Sequence, residues 1–343
     1  MYMYRNLLSL GVALNALSFP ATGTEKNSSG AEAADAKIAT REISVLWQRP
    51  VDISSRNLFF GPGSAKHQPR GVFTFLEEDL EGTNPKIIVR DQSGVKWTVK
   101  LDAEARPETT ATRLVWAVGY FANEDYFRPN LRVENMPLRL KRGQHLIAPD
   151  GSLPNVRLKR HLEHEKKRGH WSWRENQFAG TRELNGLRVL MALINNWDLT
   201  DENTAIYRRT DHPDSERYMV SDLGSTFGTG NLTWPLGRAR GNIHTYSHSK
   251  FITRITPDYV DLHTPAPAAL YFLATPHEYF SKLHLCWIGK HVPRTDARWM
   301  GELLANLTPD QIREAFRAAG YSPQQVEGFT TTALTRIAEL REL

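Results

Sequence analysis

Two stretches of the chain read as β-hairpins, and a long apolar helical pattern lies between them. The first runs Lys86-Ile87-Ile88-Val89-Arg90, then the turn signal Gln92-Ser93-Gly94, then the alternating run Val95-Lys96-Trp97-Thr98-Val99-Lys100. The second pairs Ala205-Ile206-Tyr207-Arg208-Arg209 with Tyr218-Met219-Val220-Ser221 across the turn-rich Asp211-His212-Pro213-Asp214-Ser215. Between them Thr181 is placed to cap a helix through Leu184, Leu187, Val189, Leu190, Ala192, Leu193 and Ile194. Gly71–Leu76, Leu131–Val133 and Val156–Lys159 add strand signals. Pro107 is expected to open a helix carrying Leu114, Val115, Ala117 and Val118 as far as Gly119. Thr308-Pro309-Asp310-Gln311 and Ser322-Pro323-Gln324-Gln325 are helix starts near the C-terminus. Strands first and helices later predict an α+β layout.

Composition narrows the class. The 343 residues are 40% hydrophobic and 24% charged, ordinary for a globular chain, and no short repeat points to a fibre. A single cysteine, Cys286, excludes an intramolecular disulfide and a Cys-based zinc site, and its apolar neighbours predict a packed thiol. The net charge of +5 is too small and too dispersed to demand a nucleic-acid partner. Neither a Gly-x-Ser-x-Gly elbow nor a His-Glu-x-x-His pair is present, which counts against a serine hydrolase and a zinc protease.

The N-terminus has the pattern of a targeting segment. Arg5 precedes an apolar run, Leu7–Phe19, and small residues stand at −3 and −1 of a cut after Gly23. The expectation is a signal peptide over 1–23, a flexible linker over 24–39, and export to a periplasmic or extracellular space. The run is too short for a membrane span, and no span is expected after cleavage. The other reading is a mis-assigned start followed by a disordered tail.

Three polar features then fall in a particular order. Lys100 ends a hairpin strand, with Glu108 in the helix after it. Asp198 and Asn203 lie in the loop after the apolar helix. Asp222 follows the second hairpin. Phosphoryl transfer from a nucleotide needs a cation for the phosphates and an acid to hold that cation. It also needs a carboxylate at the attacking hydroxyl and oxygen ligands for magnesium. The residue types match these roles.

Asp198-Leu199-Thr200-Asp201-Glu202-Asn203 resembles the catalytic loop of the protein-kinase-like superfamily. Asp222-Leu223-Gly224 resembles its Asp-Phe-Gly motif, and Lys86–Lys100 is similar to its second and third strands. The pattern is closer to atypical kinases, such as HipA-like and secretory-pathway kinases, than to ordinary Ser/Thr kinases. The resemblance implies a two-lobed fold, with a β-rich N-lobe over 40–165 and a mainly helical C-lobe over 166–343. It implies ATP and magnesium between the lobes. Lys100 would pair the phosphates and Glu108 would pair Lys100. Asp198 would be the catalytic base, and Asn203 and Asp222 would be the metal ligands. The acceptor would be a hydroxyl on a protein, sugar or lipid.

Departures from the pattern are specific. Asn195-Asn196-Trp197 stands where a His-Arg pair is usual, and there is no Gly-x-Gly-x-x-Gly loop. The phosphate-covering turn would be Glu81-Gly82-Thr83-Asn84, with Gly82, Thr83 and Asn84 as cofactor contacts through backbone N–H groups. Glu104 competes with Glu108 for Lys100. Two other functions stay open: a non-catalytic, kinase-shaped exported binding protein, and a nucleotidyl transferase using the same carboxylates.

Other motifs have weaker claims. His161 and His164 could bind zinc on a helix, but the run Arg157–Arg168 is so charged that it reads as a solvated face. That run, followed by Trp171 and Trp173, has stacking-plus-charge chemistry for single strands, yet no nucleic-acid motif accompanies it. The two tryptophans could instead cover the nucleotide cleft or pack between lobes. His244 and His248 read as substrate contacts or as loop structure, and Asn57–Gly63 reads as a turn.

Overall fold

The first hairpin forms as the alternation predicts, and it builds the centre of a sheet. The computed structural model describes residues 43–233, 237–265, 272–273 and 276–343. The signal peptide and linker expected over 1–39 lie outside the described residues. After a short strand β1 (Ile43–Val45) come β2 (Phe73–Asp79), β3 (Lys86–Asp91), β4 (Lys96–Lys100), β5 (Asp125–Leu131), β6 (Val133–Glu134) and β7 (Leu153–Arg160). Strands β2 to β7 form one sheet in the order β5-β7-β4-β3-β2-β6. Strand side chains alternate between faces. Ile87, Val89, Trp97, Val99, Val156 and Leu158 therefore bury one face, with Phe73, Leu131, Leu140 and Leu153. The other face is polar. Register pairs Lys100 with Arg157 and Thr98 with Lys159, so all four project from it together.

Helix α1 (Ala105–Ala117) packs across β5 and β7. It starts two residues ahead of Pro107, which occupies the third helical position. The first-turn N–H groups have no intrahelical partner, so proline is tolerated there. The helix ends before Gly119, whose φ of +100° brings the chain against the Gln48 carbonyl. A side chain at that position would clash with the backbone.

A second sheet of order β1-β10-β9-β8 contains β8 (Glu165–Gly169), β9 (Thr204–Arg209) and β10 (Ser215–Val220). Strands β9 and β10 are the second predicted hairpin, paired from Glu216↔Arg208 to Val220↔Thr204. Helix α2 (Arg182–Leu193) is capped by Thr181, whose Oγ1 accepts from the Leu184 N–H at 3.2 Å. Residues 184–193 are buried all round, which fits a central helix of the core. Helices Arg294–Leu304 and Pro323–Arg341 pack against it and Pro309–Arg317 packs on the latter, the last two starting with capping boxes at Thr308 and Ser322. The chain is thus mixed α+β, strand-rich toward the N-terminus and helical toward the C-terminus. Its later part also carries small sheets, such as Ile252–Ile255 with Tyr259–Leu262. No described helix is long and apolar enough to cross a membrane.

Two readings need correction. The charged run around His161 and His164 is the end of β7 and the approach to β8, not a helix. Charge alone carries no period, so it could not separate the two. His161 Nε2 lies 2.7 Å from Thr98 Oγ1, a contact within the sheet region. Trp171 and Trp173 are core residues, 4% and 2% exposed, which leaves no ring face for stacking on a nucleic-acid strand and agrees with the packing alternative. Trp171 donates to the Met219 carbonyl at 2.9 Å.

Candidate active site

The polar end of β4 turns sharply into α1. Asp102 makes the turn in the left-handed region, with φ of +84°. This is a conformation that Asp tolerates better than most residues. Glu104 then caps α1 and Glu108 follows one turn later, so both point at the strand end. Lys100 Nζ lies 2.9 Å from Glu104 Oε2, 2.9 Å from Glu108 Oε2 and 2.9 Å from Asp222 Oδ2. Both competing glutamates hold the lysine. An ammonium has three donors, and here each faces a carboxylate.

The cluster extends in both directions. Arg157 Nη2 donates to Glu108 Oε1 at 2.8 Å, and Asp125 lies 3.5 Å from the same guanidinium. Asn84 Nδ2 donates to Glu104 Oε2 at 2.6 Å, and Arg240 lies 3.0 Å from Glu104 Oε1. Gly224 packs where any Cβ would meet the Glu104 carboxylate, 2.5 Å from Oε2. Glycine in the third place of Asp222-Leu223-Gly224 is therefore a packing requirement of the cluster.

These charges set each other's titration. Burial works against the Lys100 ammonium, but Asp222, Glu108 and Glu104 outweigh it and push the group up. Burial likewise opposes the Asp222 carboxylate, yet Lys100 holds it well below the usual carboxylate range. Farther along, burial raises Asp125 to about 6 against the pull of Arg157.

The opposing loop leaves α2 through Asn195, at φ of +51°. Asn195 Nδ2 donates to the Gly228 carbonyl at 2.9 Å, and its Oδ1 accepts from Arg336 at 2.9 Å. Arg336, in the final helix, also donates to the carbonyls of Leu193 and Tyr246, at 2.8 and 2.9 Å. Asn196 Oδ1 accepts from the Asp198 N–H at 3.0 Å. The two asparagines that replace a His-Arg pair therefore anchor the loop through amides. Asp198 Oδ1 meets Lys282 Nζ at 3.1 Å, from the helix Pro276–His284. Asn203 Nδ2 donates to the Asp198 carbonyl at 2.7 Å. The Asn203 carbonyl accepts from the N–H groups of Ser221 and Asp222, at 2.8 and 3.1 Å. The loop and the end of β10 are thus tied directly together.

The predicted residues divide accordingly. Lys100, Glu108 and Asp222 meet in one ion cluster, while Asp198 and Asn203 share one loop that bonds to Asp222. Asn84 reaches the cluster through Glu104. Gly82 and Thr83 are exposed at the tip of the β2–β3 turn, where the Gly82 carbonyl accepts from Arg142 at 2.9 Å. They make no hydrogen bond or ion pair to the cluster among the described residues. Sequence reasoning missed Arg157, Asp125, Arg240 and Lys282. The alternation of β7 could have flagged Arg157, but nothing in the sequence marks Lys282. His244 and His248 lie on a short helix α3 (Ile243–His248), where their rings contact each other at 4.4 Å. Cys286 is half-buried, and burial pushes its thiol up.

Glu104, Glu108 and Asp222 bring carboxylate oxygens within 4.8 Å of one another, a spacing that could hold a metal. The Lys100 ammonium already sits among that trio, and Arg157 and Arg240 add further positive charge to the two glutamates. Of the three, Asp222 is the most open to a divalent cation, at 36% exposed.

A strand lysine, two helix carboxylates and an aspartate after a hairpin meet in one cluster, and an Asp-to-Asn loop is bonded to that aspartate's backbone. The same residues carry the sequence resemblance. No protein-family model matches the chain, and no curated protein does. Among solved structures, the chain is similar to the Helicobacter pylori proinflammatory kinase CtkA, at 11% identity and a TM-score of 0.43, over 78% of this chain and 95% of that one. It is also similar to the Golgi casein kinase, at 10% identity and a TM-score of 0.37, over 80% of this chain and 72% of that one. The Golgi casein kinase with Mn/ADP bound matches at 9% identity and a TM-score of 0.33, over 77% and 74% of the two chains. These likenesses are loose, and the functional reading rests on the side chains.

Proposed function

We propose that the protein is a phosphotransferase of atypical kinase type, using ATP and magnesium in the cleft beside Lys100. The observation that carries this is the three-way contact of Lys100 with Glu104, Glu108 and Asp222, each at 2.9 Å. When bound, magnesium-ATP supplies the transferable phosphoryl group. Lys100 offers its ammonium to phosphate oxygens, and Glu104 and Glu108 fix its position. Asp222 and Asn203 are the residues to hold the cation. Asp198 orients the acceptor hydroxyl and takes its proton as the new O–P bond forms and the bond to the leaving diphosphate breaks. Lys282 aims the Asp198 carboxylate. The acceptor is a hydroxyl on a protein, sugar or lipid.

Binding carries one requirement. Lys100 hydrogen-bonds Glu104 and Asp222 and is ion-paired with Glu108, so a phosphate must compete with a carboxylate for the ammonium. Asp222 is the exchangeable partner, because Glu104 and Glu108 are 4% and 0% exposed. The same competition is what favours the second reading, a kinase-shaped binding protein without catalysis. Labelled-phosphate transfer to the protein itself or to water separates the two. Asp198→Ala and Asp222→Ala should each lower transfer by about 10²–10⁴-fold while leaving the circular dichroism spectrum intact. Either variant working at the wild-type rate removes the assignment. A product heavier by a nucleotide instead of a phosphate would convert the reaction to nucleotidyl transfer.

A further inference from the structure

A cavity of about 1000 Å³ lies beside the ion cluster but contains none of Lys100, Asp198, Asn203 or Asp222. Thr98 and Lys159 form part of one wall, from the polar face of β4 and β7, and Tyr207 and Met219 line it from the second sheet. Its volume suits a small-molecule ligand. Its charge is one-sided, with six Lys and Arg side chains against three carboxylates in the lining.

Most of these charges are accounted for within the protein. Glu124 is met by Arg160 at 3.4 Å, and Glu165 by Arg217 at 3.0 Å. Asp52 accepts from the hydroxyl of Ser54 at 2.7 Å, and the Arg56 guanidinium lies over the Trp116 ring. Three cations are left. The side chains of Lys159 and Arg49 make no hydrogen bond or ion pair to any described residue, and the Lys167 side chain meets only the His170 ring, at 3.4 Å. Lys159 is the unusual member, because it projects into the cavity from the middle of a sheet. Surface lysines go unpaired at no cost, but a half-buried ammonium without an anion is unfavourable. Burial and the neighbouring Arg157 lower its pKa to about 8, with Asp125 and Glu108 pulling the other way and Lys100 adding to the repulsion.

We propose that this cavity is a binding site for a small phosphate-bearing anion, with the half-buried Lys159 as its anchor and Lys167 and Arg49 at its rim. A compact ammonium is well suited to a phosphate oxygen, and the Thr98 hydroxyl beside it offers a further polar contact. The site does not depend on the phosphotransfer reading. Transfer could fail entirely while this anion still binds, and the reverse also holds.

The test uses the full chain in excess chelator, which removes divalent cations from the neighbouring cleft. Sodium pyrophosphate is titrated by calorimetry at pH 7, with thermal denaturation in parallel. Saturable binding is expected, weakened roughly tenfold or more in Lys159→Met and retained in Lys159→Arg, which keeps the charge. Lys167→Met should weaken it less. Absence of saturable binding overturns the proposal, and so does equal affinity in wild type and Lys159→Met. Loss of binding in Lys159→Arg together with a normal melting curve overturns it too, since the charge would still be present.

Discussion

Lys100 and Lys159 project from paired strands onto one polar face of one sheet, and their surroundings could hardly differ more. Lys100 stands at the strand end, where the turn at Asp102 folds two glutamates back over it and β10 delivers a third carboxylate. Lys159 stands beside Thr98 and faces a cavity, with no anion in contact. The consequence is opposite titration: one ammonium is pushed up, the other down to about 8. Lys100 is buried and Lys159 half-buried, and the less buried of the two is the one pushed down, so depth alone does not decide how a lysine behaves. The partners do, and they come from helix register and hairpin geometry.

Substitutions can break or sharpen this contrast. The largest effect is expected at Lys100. Lys100→Met leaves Glu104, Glu108 and Asp222 without their shared cation, and should cost about 3–5 kcal/mol in urea unfolding. A loss under about 1 kcal/mol would mean that the carboxylates find other partners and that the cluster is not held by the lysine. A smaller loss is expected for Glu108→Gln, which keeps the shape but weakens the hold on both Lys100 and Arg157. About 1–3 kcal/mol is the expected range, and an unchanged unfolding midpoint would count against the chain of charges.

Lys159→Met should be the mildest, neutral or slightly stabilising at pH 7, because it removes an ammonium with no partner. Its pH dependence gives the sign. The native pKa near 8 lies below the unfolded value of about 10.4, so between them the unfolded chain binds more protons. Wild-type stability should therefore rise relative to Lys159→Met as pH goes from about 8 to 10.4. Lys100, pushed up, contributes fully below about 10.4 and loses its contribution only above that. A flat difference between wild type and Lys159→Met across this window would show that Lys159 already has an anionic partner.

Much of this was legible from residue order, and the limits have physical causes. Thr181, Thr308 and Ser322 announce helix starts because a cap is a local interaction between residues three apart. The hairpins announce themselves because strand alternation is local too. Lys100, Glu108 and Asp222 could be picked out since each sits at a recognisable element end. Glu104 was left as a rival to Glu108, whereas a helix beginning at Ala105 lets both reach the lysine. Arg157 and Lys159 required the sheet order, which pairs β4 with a strand more than fifty residues later. Lys282 comes from a helix far downstream of Asp198, and no periodicity connects the two.

The bonds around Asn203 bear on how such a cleft can move. One carbonyl takes the N–H groups of both Ser221 and Asp222, so the backbones that carry Asn203 and Asp222 are riveted into a single piece. Lys100 has no comparable backbone tie to that piece; its link is the side-chain contact with Asp222. If the two sheets swing apart like a jaw, the separation falls at the lysine, and the Asp198–Asn203 loop travels with the start of the Asp222 segment.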